Sequence, residues 1–325
     1  MPDVTLTEID PRTVQITLPL PWALDHVHCY ALDDGDSWTI VDSGLGTNAT
    51  LGWWESALKQ LGQPSVGRVL ITHYHPDHIG SSAGLVELTG AGEVVQGTLD
   101  RRLSVEGWEV DDEEEFAAYL EAHGMPAGEA RRSAEAEGLT AVRLASPTRL
   151  VDEGDAVELG GERWTVLLLP GHADGHIALL GAQSGRLIGG DVLLEDITPN
   201  VGRWPDTAAD PLGRYLRTLE RLAALSPSLV LPGHGPLIAD AARRAREIAG
   251  HHDDRLDAAQ DALLDGAETP FEVGRLIWRE ALGFHEQRFA LVEAISHLER
   301  LAALGRAEEL SPGRWRSQPR ARSAS

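Results

Sequence analysis

His73-Tyr74-His75-Pro76-Asp77-His78 is the stretch that decides how this chain is read. In an extended segment, side chains two apart share one side, so His73 and His75 can grip one cation. Pro76 then turns the chain into a helix, which carries Asp77 and His78 toward a second position. Imidazole nitrogens and carboxylate oxygens suit zinc and its neighbouring transition metals. Six residues therefore offer two half-built metal sites side by side. Upstream, Arg68 to Thr72 reads as a buried strand, and Ile79 to Leu88 has the spacing of a following helix.

Half-built sites need ligands from elsewhere, and three more apolar stretches deliver them. Pro170-Gly171-His172 follows Trp164 to Leu169, Gly189-Gly190-Asp191 follows Arg186 to Ile188, and Pro232-Gly233-His234-Gly235 follows Leu229 to Leu231. His172 would complete the first site and His234 the second, while the Asp191 carboxylate can bridge the two. The small residues beside each ligand permit close backbone approach.

The ordered set His73, His75, Asp77, His78, His172, Asp191 and His234 resembles the metallo-β-lactamase superfamily over about residues 10 to 240. Asp42, in Val41-Asp42-Ser43-Gly44, matches the family's early aspartate, which supports the ligands from behind. His176 matches a second family histidine with a similar supporting place. The resemblance implies an α/β fold, an αββα sandwich with two divalent ions at one edge of its sheets, most simply zinc, with iron or manganese as alternatives. It implies hydrolysis by a hydroxide shared between the two ions, with Asp77 and His78 as the catalytic residues on the second ion and Asp77 also orienting the nucleophile. Asp191 places the chain with the glyoxalase II, lactonase and ribonuclease Z branches rather than the cysteine-using β-lactamases. His75 stands where flavo-diiron proteins carry glutamate. Trp22, His26, His28, Asn200 and Trp204 are expected around the pocket.

Outside the ligands, Val14 to Leu20, Val27 to Leu32 and Trp38 to Val41 read as strands, and Leu51, Trp54, Leu58 and Leu61 as one helical stripe. Residues 1–244 form the expected metallo-β-lactamase domain, with 98–140 as an acidic helical insertion. Residues 245–325 form the expected second domain. There Thr269-Pro270-Phe271-Glu272 is a capping box with proline at the first helical position, and Leu291, Ile295, Leu298 and Ala302 stripe another helix that Gly305 ends. A closing hairpin over Ala307 to Ser317 makes the unit winged-helix-like. It is similar to the extension of bacterial members of the superfamily and of the mitochondrial β-lactamase-like endoribonuclease. His251, His252, His285 and His297, all in this region, are given no chemistry.

Composition narrows the partners. The 325 residues carry a formal net charge of −23, and Lys59 is the sole lysine. Such a surface repels phosphate backbones over long range. Residues 246–325 hold 11 arginines against 14 acidic residues, with only Arg314, Arg316, Arg320 and Arg322 forming a basic run. Cys29 is the single cysteine, so no internal disulfide forms. With no apolar run of membrane-spanning length and no signal-peptide pattern, the expected place is the cytoplasm, without a membrane partner. The expected substrate is a small-molecule ester, thioester or lactone. One alternative is a phosphodiesterase or endoribonuclease acting on single-stranded RNA, suggested by the C-terminal unit. The other is a mononuclear iron dioxygenase of the persulfide type. A homodimer through the C-terminal helices is the expected assembly.

Overall fold

The computed structural model describes residues 4–108, 113–137, 142–278 and 283–319. Arg320 and Arg322 of the basic run, and residues 109–112 and 138–140 of the expected insertion, lie outside them. The chain divides into two compact units. One comprises residues 1–109, 140–199 and 225–244, the other residues 110–139, 200–224 and 245–325.

Two sheets make the first unit. The larger runs in chain order: β1 (Thr5–Asp10), β2 (Thr13–Pro19), β3 (His26–Asp33), β4 (Trp38–Val41), β5 (Val66–Leu70), β6 (Glu93–Gly97) and β7 (Arg149–Val151). It is antiparallel as far as β4 and parallel from there to β7. The smaller sheet joins β8 (Ala156–Leu159), β9 (Glu162–Leu168), β10 (Ile177–Gly181), β11 (Arg186–Gly190) and β12 (Leu229–Pro232), with β12 parallel to β11.

The period-two alternation of β3 shows how the layers arise. Val27, Cys29 and Ala31 point to one core, while Tyr30 and Leu32 point to the other. The first core packs the larger sheet against α1 (Asn48–Gln60), through Trp54 and Ala57, and against α3 (Ser82–Thr89), through Leu85. The second joins Tyr30, Leu70 and Val95 of the larger sheet to Trp164, Leu179 and Leu231 of the smaller one. Trp54 is fully buried, and its indole N–H donates to the Ser43 carbonyl at 2.7 Å, so its polar end is satisfied beside Asp42.

Local chemistry departs from the expected helix over Ile79 to Leu88. The chain forms a four-residue helix, α2 (Pro76–Ile79), and then α3. At the break, a Cβ on Gly80 would lie 2.1 Å from the Pro76 carbonyl oxygen and 2.5 Å from the Gly46 nitrogen, so only glycine fits there. Strands β1, β6 and β7 were not foreseen either. Of the segment expected as one insertion, α4 (Thr98–Trp108) groups with the first unit, whereas α5 (Glu113–Ala122) and α6 (Ala127–Glu137) group with the second.

The second unit also takes in most of α7 (Pro211–Leu225), whose Leu212, Tyr215, Leu219 and Leu222 are buried. The new unit expected near Ala245 begins inside α8 (Ala241–Leu264), a continuous helix. Next come α9 (Pro270–Ile277), opened by the Thr269–Glu272 capping box, α10 (Phe284–Ala303), and the hairpin of β13 (Ala307–Ser311) with β14 (Arg314–Ser317). The core of this unit is Leu120, Met125, Ala130, Phe271, Leu291 and Ile295.

Candidate metal centre

Every candidate ligand stands just past the carboxyl end of a strand or on α2, all within the first unit. Asp42 follows β4, His73 follows β5, His172 follows β9, Asp191 follows β11 and His234 follows β12. Asp77 and His78 lie on α2, with His75 at its N-terminal boundary. Three groups of ligand atoms result, each within 4.8 Å: His73 with His75 and His172; His73 with His78 and Asp191; Asp77 with His78 and His234.

The separations inside these groups match a shared ion. Metal–ligand bonds of about 2.0–2.1 Å at a tetrahedral angle put ligand atoms about 3.3 Å apart. His73 Nε2 and His75 Nδ1 are 3.1 Å apart. Asp191 Oδ1 lies 3.3 Å from His78 Nε2, and Asp191 Oδ2 lies 3.2 Å from His234 Nε2 and 3.6 Å from His172 Nε2. Asp77 Oδ2 is 3.3 Å from His234 Nε2. His78 Nε2, Asp191 Oδ1 and His234 Nε2 are buried and end no hydrogen bond among the described residues. Buried polar atoms are rarely left so, and a cation between them would satisfy all three. The donor set therefore fits divalent metal ions.

Hydrogen bonds behind the ligands fix which nitrogen faces inward. Asp42 adopts a left-handed backbone, φ 62°, and its carboxylate accepts from Thr72 N, Thr72 Oγ1 and His78 Nδ1, each at 2.8 Å. Because Thr72 Oγ1 donates to Asp42, it accepts from His73 Nδ1 at 3.0 Å, which leaves the His73 Nε2 lone pair pointing inward. His234 Nδ1 donates to the main-chain oxygen of His26 at 2.6 Å, with the same consequence for His234 Nε2. His176 Nε2 accepts from Asp191 N at 3.1 Å, and its ring stacks on that of His73 at 4.6 Å between centroids. That bond turns His176 away from ligation and fixes the backbone that carries Asp191.

Electrostatics follows from packing carboxylates among imidazoles. Burial disfavours the charged form of the Asp191 carboxyl, but the adjoining His234 and His78 outweigh it and hold Asp191 well below the ordinary carboxylate range. Asp77 is lowered to about 2 against burial by His78 and His234. Burial opposes charge on His78 and His234 too, yet Asp191 and Asp77 raise both, His234 to about 10. His73 and His75 are pushed well down by burial and by neighbouring imidazoles. The second half-site thus draws protons in the place where it would otherwise hold a cation, and metal binding there would release them.

The sequence profile of the metallo-beta-lactamase superfamily matches residues 22–234, which takes in the whole ligand set. The chain belongs to the metallo-beta-lactamase superfamily. It is 30% identical to the probable metallo-hydrolase YqjP of Bacillus subtilis over 304 residues, 89% of this chain and 92% of that one. It is 29% identical to the hydroxyacylglutathione hydrolase of Cereibacter sphaeroides over 220 residues, 66% of this chain and 67% of that one. Among solved structures it resembles a metallo-beta-lactamase family protein from Thermus thermophilus, at TM-score 0.83 and 33% identity, over 96% of this chain and 100% of that one. The superfamily binds divalent metals, and this member is a metallo-hydrolase.

The remaining superfamily candidates fall in different places. His28 donates through Nε2 to the Gly235 carbonyl at 2.9 Å, and His26 Nε2 accepts from Gly235 N at 3.0 Å, so both brace the His234 loop from behind. Trp22 is partly buried against the core beneath the larger sheet. Asn200 and Trp204 belong to the second unit, where Asn200 Nδ2 donates to Glu293 Oε2 at 3.2 Å and Trp204 stacks on Phe116. Thr72 and the His26 carbonyl escaped the sequence reading. The threonine's place, between an apolar strand and a ligand histidine, was the available signal; a main-chain carbonyl leaves none.

Proposed function

We propose that this chain hydrolyses the carbonyl group of a small-molecule ester, thioester or lactone at a two-ion, zinc-type centre. The position of Asp191 carries the reading. One of its oxygens faces His78, and the other lies between His172 of the first half-site and His234 of the second. A single carboxylate so placed can link two ions. A pair of divalent cations bound there would lower the pKa of a shared water from about 15.7 toward about 7 and polarise the substrate's carbonyl oxygen.

The chain's own residues do the rest. Asp42 and the His26 carbonyl hold His78 and His234 with their lone pairs turned inward. Asp77, held ionised by His78 and His234, can accept a hydrogen bond from the attacking water and so aim it. A complete second donor group of Asp77, His78 and His234 favours this reading over a one-ion dioxygenase. The likeness to a hydroxyacylglutathione hydrolase, a name that denotes a thioester substrate, favours a thioester.

Ion pairing in the C-terminal hairpin disfavours RNA. Arg314 pairs with Glu268, and Arg316 pairs with Glu308 at 3.0 Å. Two of the arginines that made this run basic are thus already neutralised, in a chain of net charge −23. Among the described residues no helix is long and apolar enough to cross a membrane.

The test is turnover of acyl thioesters, lactones, aryl esters, phosphodiesters and single-stranded RNA by protein of known metal content, beside an Asp77→Ala control. Hydrolysis of a carbonyl substrate that the control lacks supports the proposal. Turnover confined to phosphodiesters or RNA would overturn it.

A further inference from the structure

A second cluster of metal-type donors lies inside the second unit, in residues the sequence reading left without chemistry. His252 stands on α8, and Glu293 and His297 stand one turn apart on α10. Their donor atoms lie within 4.8 Å of one another. Both imidazoles are completely buried and Glu293 is partly so, and burial raises its carboxyl to about 7.

The hydrogen bonding turns one lone pair toward the other ring. His297 Nδ1 donates to the main-chain oxygen of Glu293 at 2.7 Å, so the free lone pair of a neutral ring sits on Nε2. That nitrogen is 3.4 Å from His252 Nδ1, long for a hydrogen bond but close to the spacing of two tetrahedral ligands. His252 Nε2 is buried and has no hydrogen-bond partner among the described residues. Burial, with His297, His251 and Arg255 nearby, pushes His252 down to about 2, and burial brings His297 to about 4, so both rings remain neutral donors. The Arg255 guanidinium is near enough to favour the ionised Glu293 by its charge, while its hydrogen bonds go elsewhere. It donates to the Ile277 carbonyl at 3.0 Å and stacks over Trp278. Asn200 anchors the Glu293 carboxylate, and the Tyr215 ring meets His252 edge-on.

We infer that His252, Glu293 and His297 form a separate binding site for a divalent transition cation of the zinc type, tying α8 to α10. Two imidazoles, one carboxylate and a water would complete a four-coordinate shell. A buried His–His hydrogen bond is the competing account, but at 3.4 Å it is long, and it gives the adjacent Glu293 carboxylate no part.

The test counts zinc per chain by plasma mass spectrometry after chelation, reloading and desalting. It uses the full chain, Glu293→Gln, Asp191→Asn and the double variant. Glutamine keeps the shape of Glu293 and its bond to Asn200 while removing the charge. The inference expects Glu293→Gln to remove one zinc per chain in the wild-type background and one again in the Asp191→Asn background. It also expects zinc to raise the melting temperature of Asp191→Asn but not of the double variant. Equal zinc content with and without Glu293→Gln overturns it. So does a loss seen only when Asp191 is intact, since that ion would belong to the first unit's centre.

Discussion

His234 Nδ1 lies 2.6 Å from the main-chain oxygen of His26, a residue 208 positions earlier in the chain. A carbonyl can only accept, so this contact fixes the proton on Nδ1 and the lone pair on Nε2, toward Asp77 and Asp191. The loop bearing His234 is clamped further: His28 N donates to the Gly233 carbonyl at 2.7 Å, and His28 Nε2 donates to the Gly235 carbonyl at 2.9 Å. His28→Phe keeps the ring's volume and removes the side-chain half of the clamp. Losing a partner behind a ligand typically weakens metal affinity by about 10- to 100-fold. That loss is expected at the ion held by His234, read by competition with a chromophoric chelator. Unaltered affinity would show that the His26 carbonyl suffices alone.

Asp42 combines strain with charge. Its left-handed φ of 62° is one that aspartate and asparagine tolerate best among residues with a side chain. Asp42→Asn keeps the backbone and one acceptor oxygen, which can serve Thr72 N, but withdraws the negative charge and the second acceptor from Thr72 Oγ1 and His78 Nδ1. We expect metal affinity to fall by about 10- to 100-fold with little change in melting temperature. Asp42→Ala should add a backbone cost of about 1–2 kcal/mol and lower the melting temperature as well. Equal melting temperatures for the two variants would count against the backbone part of this account.

The ligand set was legible because four of its seven members fall in six consecutive residues, and each of the others follows a short apolar strand and a glycine. Other features are absent from local pattern. β1 reads Thr5-Leu6-Thr7-Glu8-Ile9-Asp10, an edge strand with few buried side chains, and β7 has only three residues. Neither carries enough apolar periodicity to stand out. Periodicity marks a helix but not its core, so residues 110–139 and 200–224 gave no sign that they group with the C-terminal helices. The cluster in the second unit was half visible: Glu293 and His297 are four apart, a spacing that shares one helix face. His252 joins them through the packing of α8 on α10, 45 residues away in sequence.

Gly233 is confined by the metal centre itself. A Cβ there would lie 2.2 Å from Asp191 Oδ1 and 2.6 Å from His78 Cε1. Neither partner can yield without moving a ligand atom. Gly233→Ala should therefore leave a folded chain with a displaced Asp191 and a loss of hydrolysis of about 100-fold or more, the scale on which a 1 Å misplacement acts. Circular dichroism and zinc content together check it. A variant with full zinc and full turnover would mean that the Asp191 side chain is free to move.

Asp100 gives the fold a pH dependence that can be separated from the metals. Its carboxyl is fully buried, accepts from Gln96 Nε2 at 2.7 Å, and is raised by burial to about 8. An unfolded aspartate titrates near about 3.9. Between those values the folded chain keeps a proton that the unfolded chain releases, so stability falls as pH rises through the window. The slope is at most about 1.4 kcal/mol per pH unit and vanishes above the folded pKa. Asp100→Asn has no proton to lose and keeps an acceptor for Gln96. Denaturant unfolding of both chains at several pH values isolates this one group, because the titrating ligands are common to both. The stability of Asp100→Asn relative to wild type should grow steadily from about pH 5 to about pH 8. A difference that stays constant with pH would show that Asp100 is ionised in the folded protein and that Gln96 and the surrounding amides hold it so.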